Sequence, residues 1–373
     1  MNIKSLVKMV RKEMISTILQ NDTMYHFAIN CAKNKRIPLC NGDEARKIIS
    51  AASPKPKRKE HIYERQWPDV PEFDISVIVP CYKAEKFVAE CINSCLNQKT
   101  TRSFEVIAVD DGSPDRTFSI LDSIRMQDER LKIIRQENQG VAVARNAAIA
   151  CASGTTLVFV DSDDILKPDA LEMLADALDQ SSCDMVTASF DLMSEDGKQI
   201  TPIKGRRTHG APWARIFRRE VWSKPEFPDR YWFEDTVLSF LICDRFSEYY
   251  LDQSVYLYRA NSGGATSNTQ KSKRGLDSYW IIEELLDRAQ EIGIPYDQLM
   301  HDKVLSQLGP ILFERCAALD ERERKALFVC ACDLLDKWGC GYTCGLGGRW
   351  NDLEEALRHR SYALWRVVVQ SIA

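Results

Sequence analysis

The 373-residue chain contains no run of 18 apolar residues, so the sequence predicts no membrane-spanning helix. It also lacks the G-x-x-x-x-G-K-[ST] segment, which excludes a P-loop NTPase. No G-x-G-x-x-G follows the first apolar run, which argues against a dinucleotide-binding fold of the usual kind. Because both common glycine-rich phosphate-binding motifs are absent, a phosphate-binding site would need a metal ion or basic side chains.

Metal-ligating patterns of the zinc type are also absent. The five histidines form no spacing motif, and the thirteen cysteines include no C-x-x-C pair. Most of these cysteines lie in apolar patterns, as expected of small buried side chains. Their number is odd, and residues 1–20 carry too many charges to resemble a signal sequence, so we expect a reducing, cytoplasmic compartment.

Composition favours a globular protein of two or three domains. Hydrophobic residues make up 45% of the chain and charged residues 28%, enough to form a core. The net charge of −4 argues against bulk binding of nucleic acid.

Short apolar runs alternate with amphipathic segments from residue 73 onward. We predict five strands over residues 75–79, 106–109, 132–134, 156–160 and 185–190. We predict four intervening helices over residues 84–98, 117–126, 141–152 and 168–179. Such alternation predicts an α/β fold with a Rossmann-like, mainly parallel sheet covered by helices.

Both ends of the chain are predicted to be helical. Residues 1–50 show helical spacing, and residues 51–71 read as a Pro-rich, charged linker. After residue 275 we predict helices over residues 280–292, 303–319, 323–338 and 353–372. The predicted organisation is a helical N-terminal extension and linker (1–72), an α/β domain (73–275) and a helical C-terminal domain (276–373). The apolar tail fits either a packed helix or a helix lying on a membrane surface.

Three polar clusters follow predicted strands of the sheet. They are Cys81-Tyr82-Lys83, Asp110-Asp111-Gly112-Ser113 and Asp161-Ser162-Asp163-Asp164. Ligands of parallel sheets bind at the carboxyl ends of the strands, so this placement predicts a site. Three carboxylates within four residues repel one another unless a cation neutralises them, and Mg²⁺ or Mn²⁺ prefers such oxygen ligands. The alternative is a solvated loop in which Asp164 or Asp169 caps the next helix.

Residues 75–265 resemble the family 2 glycosyltransferases, which have the GT-A fold. The resemblance depends on ordered motifs rather than on any single one. They are Val77-Ile78-Val79-Pro80-Cys81-Tyr82, Glu105-Val106-Ile107-Ala108-Val109-Asp110-Asp111-Gly112-Ser113, Asn138-Gln139-Gly140, Ala144-Arg145-Asn146, Asp161-Ser162-Asp163-Asp164, Glu234-Asp235 and Tyr258-Arg259. One departure is Lys83, where the family commonly has Asn.

The resemblance implies a nucleotide-sugar site. Pro80 and Tyr82 would form the floor under the nucleoside, and Asp111 would accept the uracil imide proton. Asn138 and Arg145 would border the nucleotide-sugar, although Arg145 equally fits a structural ion pair.

The same resemblance assigns Asp161-Ser162-Asp163 to the D-x-D motif of the family. Asp161 would contact the ribose or the metal, and Asp163 would ligate a Mn²⁺ or Mg²⁺ ion that bridges the two phosphates. Ser162 falls within the nucleotide-sugar site, and Arg259 is the candidate for a second group that neutralises phosphate charge. A Gly-Gly pair between Asn261 and Ser267 would let the neighbouring loop move.

The Glu234-Asp235 pair would carry the catalytic chemistry. In the family the Asp of this pair deprotonates the acceptor, and the reaction inverts the anomeric configuration. Trp213 would line the sugar pocket, while Arg215, Arg218 and Arg219 fit either contacts to acceptor phosphate or a solvated face.

The implied partners are a UDP-sugar donor and a glycan or lipid-linked saccharide acceptor, with no nucleic acid. The implied location is the cytoplasm, with contact at the inner face of the cell membrane. The alternative is a non-catalytic protein that binds nucleotide-sugars or glycans on the same scaffold.

Overall fold

The computed structural model describes residues 17–58, 65–203, 210–261 and 271–372. The chain divides into two compact units, one of residues 57–264 and one of residues 1–56 with 265–373. We call them the α/β unit and the helical unit. The predicted boundaries at residues 72 and 275 stay predictions.

The helical unit begins with two short helices, α1 (Asp22–Lys33) and α2 (Gly42–Ala52). Each follows an asparagine, Asn21 or Asn41, whose side chain accepts a backbone N–H of the first turn. This capping satisfies a donor that the helix itself cannot pair.

Four parallel strands form one half of the sheet in the α/β unit, in the order β3-β2-β1-β4. They are β1 (Phe73–Cys81), β2 (Phe104–Asp110), β3 (Leu131–Arg135) and β4 (Gly154–Phe159). The helices that alternate with them and follow β4 are α3 (Val88–Leu96), α4 (Thr117–Arg125), α5 (Val141–Cys151) and α6 (Ala170–Ser181). Strands β1 and β2 are buried along nearly their whole length, which explains their continuous apolar sequence.

The other half of the sheet is mixed, in the order β4-β8-β6-β9-β5, with β7 paired to β6. Its strands are β5 (Ile165–Leu166), β6 (Met185–Met193), β7 (Ile200–Pro202), β8 (Arg215–Arg218) and β9 (Glu248–Arg259). Strand β8 is antiparallel to both β4 and β6, while β6 and β9 are parallel. The predicted α/β fold is confirmed, although the sequence analysis did not predict β5, β7, β8 or β9 as strands.

The remaining helices belong to the helical unit. They are α7 (Asp277–Glu291), α8 (Gln298–Ser306), α9 (Leu312–Arg315), α10 (Glu321–Trp338), α11 (Arg349–Arg358) and α12 (Tyr362–Ile372). The prediction of one helix over residues 353–372 is wrong, because Arg360 has a φ of 51° and separates α11 from α12. The predicted helix over residues 303–319 is interrupted at Gly309, whose ψ of −124° is not helical and which precedes Pro310.

The N-terminal helices pack against the C-terminal helices within the helical unit. Arg46 of α2 donates two hydrogen bonds to Glu283 of α7, at 2.6 and 2.8 Å. The hydroxyl of Tyr25 donates to Asp352 at 2.7 Å. Helix α12 buries Leu364, Trp365 and Val368, as expected of a packed tail. Within the described ranges, no helix has the length and apolar content needed to cross a bilayer.

Candidate active site

The three polar clusters lie at one edge of the sheet because β2, β1 and β4 are adjacent and parallel. The register pairs Cys81 with Asp110 and Ile78 with Phe159, so the three strands end at the same edge. The chain leaves β4 into the Asp161-Ser162-Asp163-Asp164 segment, which we call the acidic loop.

Arg145 of α5 connects the acidic loop to the Glu234-Asp235 segment. Its two terminal nitrogens donate to Asp161 at 2.8 Å and to Glu234 at 2.9 Å. The guanidinium lies 5.2 Å from the ring centre of Phe227, and the Arg145 side chain is only 5% exposed. Arg145 is therefore the ion-pair partner that the sequence analysis left as an alternative, and its two partners are both predicted site residues.

Glu234 and Asp235 follow a backbone position that side chains rarely adopt. Phe233 has a φ of 71°, which is unfavourable for a bulky residue and recurs at functional sites. Burial raises the pKa of Glu234 to about 7, while Arg145 opposes the rise and the Asp235 carboxylate adds to it. Glu234 can thus change its protonation near neutral pH.

The second carboxylate of the acidic loop is held by Asn261, whose amide donates to Asp163 Oδ2 at 3.1 Å. Burial raises the pKa of Asp163, and the nearby Asp161 charge adds to the rise. Two crowded carboxylates on one loop offer the hard oxygen ligands that a divalent cation prefers, so the residues fit such an ion. Over the described ranges, no three Asp, Glu, His or Cys side chains converge as a metal site by themselves.

Tyr256 holds the acidic loop through its first and last residues, Asp161 and Asp164. The Tyr256 hydroxyl donates to Asp164 Oδ2 at 2.8 Å and accepts the Asp161 N–H at 3.0 Å. Both side chains are buried, and burial raises the pKa of Asp164 well above its ordinary value. Tyr256 was missed by the sequence analysis, although its alternation with Tyr258 on one strand is a signal that could have indicated it.

Arg259 also fixes the acidic loop. Its Nε donates to the Asp163 carbonyl at 2.6 Å, and its terminal nitrogens donate to Glu90 at 2.6 Å and to the Glu195 carbonyl at 2.9 Å. The Arg259 side chain is 2% exposed, so its guanidinium is already committed to the protein. Its predicted role toward phosphate stays a prediction.

Asp111 organises the loop that follows β3. One carboxylate oxygen accepts Gln136 Nε2 at 2.7 Å and the Gln139 N–H at 2.8 Å. The other accepts the Gly140 N–H at 2.8 Å and Asn138 Nδ2 at 3.2 Å. Asp111 and Asn138, both predicted to border the nucleotide, therefore lie in hydrogen-bond contact.

The proposed nucleoside floor lies at the end of β1. Pro80 is buried in the strand, whereas Tyr82 is 45% exposed and has the Lys83 ammonium 5.2 Å from its ring centre. Lys83 has a φ of 50°, a conformation that Asn adopts more readily than Lys. Ser162 lies half-buried in the acidic loop.

Aromatic side chains pack beside the acidic loop. The backbone of Trp213 forms an isolated β-bridge with that of Phe159. The Trp213 ring stacks on those of Tyr256 and Tyr258, at centroid distances of 5.0 and 5.2 Å. Of the nearby arginines, Arg215 is 3% exposed, so the idea that it belongs to a solvated face is wrong. The Gly-Gly pair predicted to permit loop motion lies outside the described residues.

Comparisons with known proteins identify the family of this chain. The family model described as Glycosyl transferase family 2 matches residues 76–242. An uncharacterized glycosyltransferase of Bacillus subtilis, EpsJ, is 31% identical over 218 residues, which cover 52% of this chain and 62% of EpsJ. Glycosyltransferase GlyG of Streptococcus pneumoniae is 30% identical over 218 residues, covering 51% of this chain and 71% of GlyG.

A solved structure supports the fold. Residues 1–349 of S. aureus TarS, in complex with UDP, superpose with a TM-score of 0.57 at 20% identity, covering 80% of this chain and 91% of that one. The α/β unit thus has the GT-A fold. The matched motifs, the relatives and the fold lead to one conclusion, that the chain belongs to the family 2 glycosyltransferases.

Proposed function

We propose that this glycosyltransferase transfers a sugar, with inversion, from a UDP-sugar to a hydroxyl of a glycan or lipid-linked saccharide. The observation that carries the proposal is the Arg145 bridge, which ties the acidic loop to the Glu234-Asp235 segment. The UDP complex of TarS supports the donor class. A putative teichuronic acid biosynthesis glycosyltransferase of Bacillus subtilis, 39% identical over 130 residues, supports a glycan acceptor; the match covers 35% of this chain and 50% of that protein.

The donor's uracil would bind between Tyr82 and Asp111. Asp111 presents only acceptor oxygens, which suit the N3–H of uracil and disfavour cytosine, whose N3 is also an acceptor. Since four protein donors already occupy the carboxylate, the uracil would displace one of them. Gln136 is the best candidate because its side chain can move without disturbing the backbone of the loop.

The pyrophosphate would lie over the acidic loop. Asp161 and Asp163 would hold Mn²⁺ or Mg²⁺, ions that proteins bind through one or two carboxylates together with substrate phosphates. When bound, the ion would supply positive charge to the departing UDP. Arg145 and Asn261 would hold the two carboxylates at the spacing that this arrangement needs.

Asp235 would act as the general base. The acceptor oxygen forms a bond to the anomeric carbon on the face opposite UDP, the bond from that carbon to the phosphate oxygen breaks, and the acceptor proton moves to Asp235. UDP leaves with the bonding electron pair. Glu234 and Arg145 would position Asp235 rather than exchange a proton with the substrate.

UDP release from a panel of UDP-sugars, with added Mn²⁺, tests this function. We expect release that is lost in both Asp163→Ala and Asp235→Asn and retained in Asp196→Asn, a control in an exposed turn. Donor binding without release, under any acceptor tried, would favour the alternative of a non-catalytic nucleotide-sugar-binding protein.

The cytoplasmic face of the membrane is the proposed location. No disulfide joins cysteines among the described residues, which supports a reducing compartment. Lipid-linked acceptors would bring the enzyme to the membrane surface.

A further inference from the structure

The stretch of chain that carries Glu234 and Asp235 has no regular secondary structure of its own. Residues 223–235, which the structure describes throughout, form neither strand nor helix. Two of them, Arg230 and Phe233, have φ values of 68° and 71°, which bulky residues keep only when surrounding contacts impose them. We call residues 227–235 the base segment. Its geometry depends on contacts with other elements of the α/β unit.

Asn146 of α5 holds the first residue of the base segment. Its Nδ2 donates to the Phe227 carbonyl at 2.8 Å, and its Oδ1 accepts the Phe227 N–H at 2.9 Å. Asn146 is 1% exposed, so water has little access to either bond. One amide therefore pairs with both backbone groups of a single residue, which fixes the orientation of that backbone as well as its distance from α5.

Phe227 is also the residue against which Arg145 lies, with the guanidinium 5.2 Å from the ring centre. The Phe227 ring stacks on Trp222, at a centroid distance of 4.7 Å, and contacts Phe159, the last residue of β4, edge-on at 5.8 Å. All three rings are buried. A displacement of Phe227 would therefore affect both the Arg145 bridge and the strand that leads into the acidic loop.

Helix α5 thus binds the base segment at both of its ends. Asn146 binds Phe227, and the preceding residue of the helix, Arg145, binds Glu234. Adjacent residues of an α-helix diverge by about 100°, so the two side chains leave α5 in different directions. Because the helix is rigid, these two contacts set the distance between the start of the base segment and its carboxylates.

We propose that Asn146 is a positioning residue for sugar transfer, which holds the base segment so that Asp235 lies where the acceptor hydroxyl loses its proton. The proposal rests on the proposed function, in which Asp235 is the general base. A general base must come within about 3 Å of the atom that it deprotonates, and a misplacement of about 1 Å lowers a rate about a hundredfold. Asn146 is buried, so it acts through the backbone of Phe227 rather than on the substrate.

Asn146→Ala tests the proposal, because it leaves the N–H and the carbonyl of Phe227 buried without their partner. At saturating UDP-sugar and Mn²⁺, we expect kcat for UDP release to fall about tenfold to a hundredfold. The affinity for UDP, measured by calorimetry with Mn²⁺, should change less than about twofold, since the acidic loop and Asp111 keep their contacts. An amide that only stabilised the fold would not separate these two measurements.

Gln98→Ala is the matched control, because the Gln98 amide also joins two backbone groups. Its Nε2 donates to the Lys167 carbonyl at 2.8 Å, and its Oε1 accepts the Leu171 N–H at 3.0 Å. Both Asn146→Ala and Gln98→Ala should lower the urea concentration at which half of the protein is unfolded. Only Asn146→Ala should lower kcat.

Asn146→Ser is a milder variant, whose single hydroxyl cannot pair with both backbone groups of Phe227. It should show the same separation of kcat from UDP affinity, and it replaces Asn146→Ala if that variant does not fold. The proposal is overturned if the Asn146 variants keep the wild-type kcat, if their UDP affinity falls as much as kcat, or if Gln98→Ala lowers kcat equally.

Asp235→Asn, assayed beside these variants, separates this proposal from the proposed function. UDP release that persists in Asp235→Asn overturns the proposed function and this proposal with it. Release that is lost in Asp235→Asn but proceeds at the wild-type kcat in the Asn146 variants overturns this proposal alone.

Discussion

The guanidinium of Arg145 donates to the Glu234 carboxylate at 2.9 Å, although 89 residues separate the two in sequence. The same side chain reaches Asp161 at 2.8 Å. One buried cation therefore sets the position of the acidic loop relative to the Glu234-Asp235 segment. If this bridge aligns the site, replacing the guanidinium of Arg145 with a smaller cation should reduce kcat more than it reduces the unfolding free energy.

Arg145→Lys tests the alignment. Lysine keeps the charge but cannot reach both carboxylates through a planar fork, so one charge-assisted bond, of about 1.5–3 kcal/mol, is lost. We expect kcat for UDP release to fall about tenfold to a hundredfold. Arg102→Lys, at a surface pair with Asp176 and Asp179, should change kcat little. Equal kcat for Arg145→Lys and wild type would contradict the account.

The raised pKa of Glu234 predicts a pH dependence. Burial raises this pKa to about 7, so the carboxylate that pairs with Arg145 becomes protonated as the pH falls through that value. We expect kcat to decline on the acid side of pH 7 because the bridge weakens. In Glu234→Gln the acid limb governed by this group should disappear, and the pH–rate profile measures it.

The contribution of Glu234 to the unfolding free energy should change with pH in the direction opposite to that of kcat. A carboxyl whose folded-state pKa lies above its unfolded value binds more protons when folded. Its contribution to the unfolding free energy is therefore present at low pH and is lost as the pH rises through about 7. Denaturant titrations of wild type and Glu234→Gln, compared at pH 5 and pH 8, should show the wild type losing more stability on this rise. A reversed order would contradict the burial of Glu234.

Substitution of Arg259 tests whether its guanidinium stabilises the fold or binds phosphate. Removing its guanidinium in Arg259→Met leaves the Asp163 and Glu195 carbonyls and the Glu90 carboxylate without their donor. We expect a loss of about 3 kcal/mol in unfolding free energy. Arg116→Met, whose side chain is 80% exposed, should change it by less than about 0.5 kcal/mol. Unchanged stability with loss of UDP affinity would instead make Arg259 a phosphate ligand.

Ser182 adopts a backbone conformation that favours glycine. It ends α6 in the left-handed region, with a φ of 53°, where glycine has no steric cost. Ser182→Gly should stabilise the protein by about 0.5–1 kcal/mol, measured by urea unfolding. Ser181→Gly, one residue earlier and within α6, should destabilise it by a similar amount. Two changes of the same sign would contradict the left-handed conformation of Ser182.

The strands that build the site were predictable because each is a continuous apolar run that ends in polar residues. Strands β1, β2 and β4 are of this kind, and their shared edge brings the three clusters together. Strands β8 and β9 were not predicted, since the first half of β9 is exposed or half-buried and its pairing with β6 joins distant segments. Pairing across such separations depends on tertiary packing rather than on local pattern.

The roles of individual side chains were harder to predict from the sequence than the fold. The sequence left Arg145 between a substrate contact and an ion pair, because the decision depends on Glu234 lying beside it. Asp111 was predicted as a uracil contact, but the four donors around it come from a loop whose path no pattern specifies. The sequence did not indicate the interruption at Arg360, because neither glycine nor proline lies between α11 and α12.

Calorimetric titration of UDP, with and without Mn²⁺, tests most directly whether the acidic loop holds a cation that binds the pyrophosphate. We predict that Mn²⁺ strengthens UDP binding about tenfold or more in wild type and that this gain is lost in Asp163→Asn. UDP binding of equal strength with and without Mn²⁺, or a full Mn²⁺ effect in Asp163→Asn, would contradict the account.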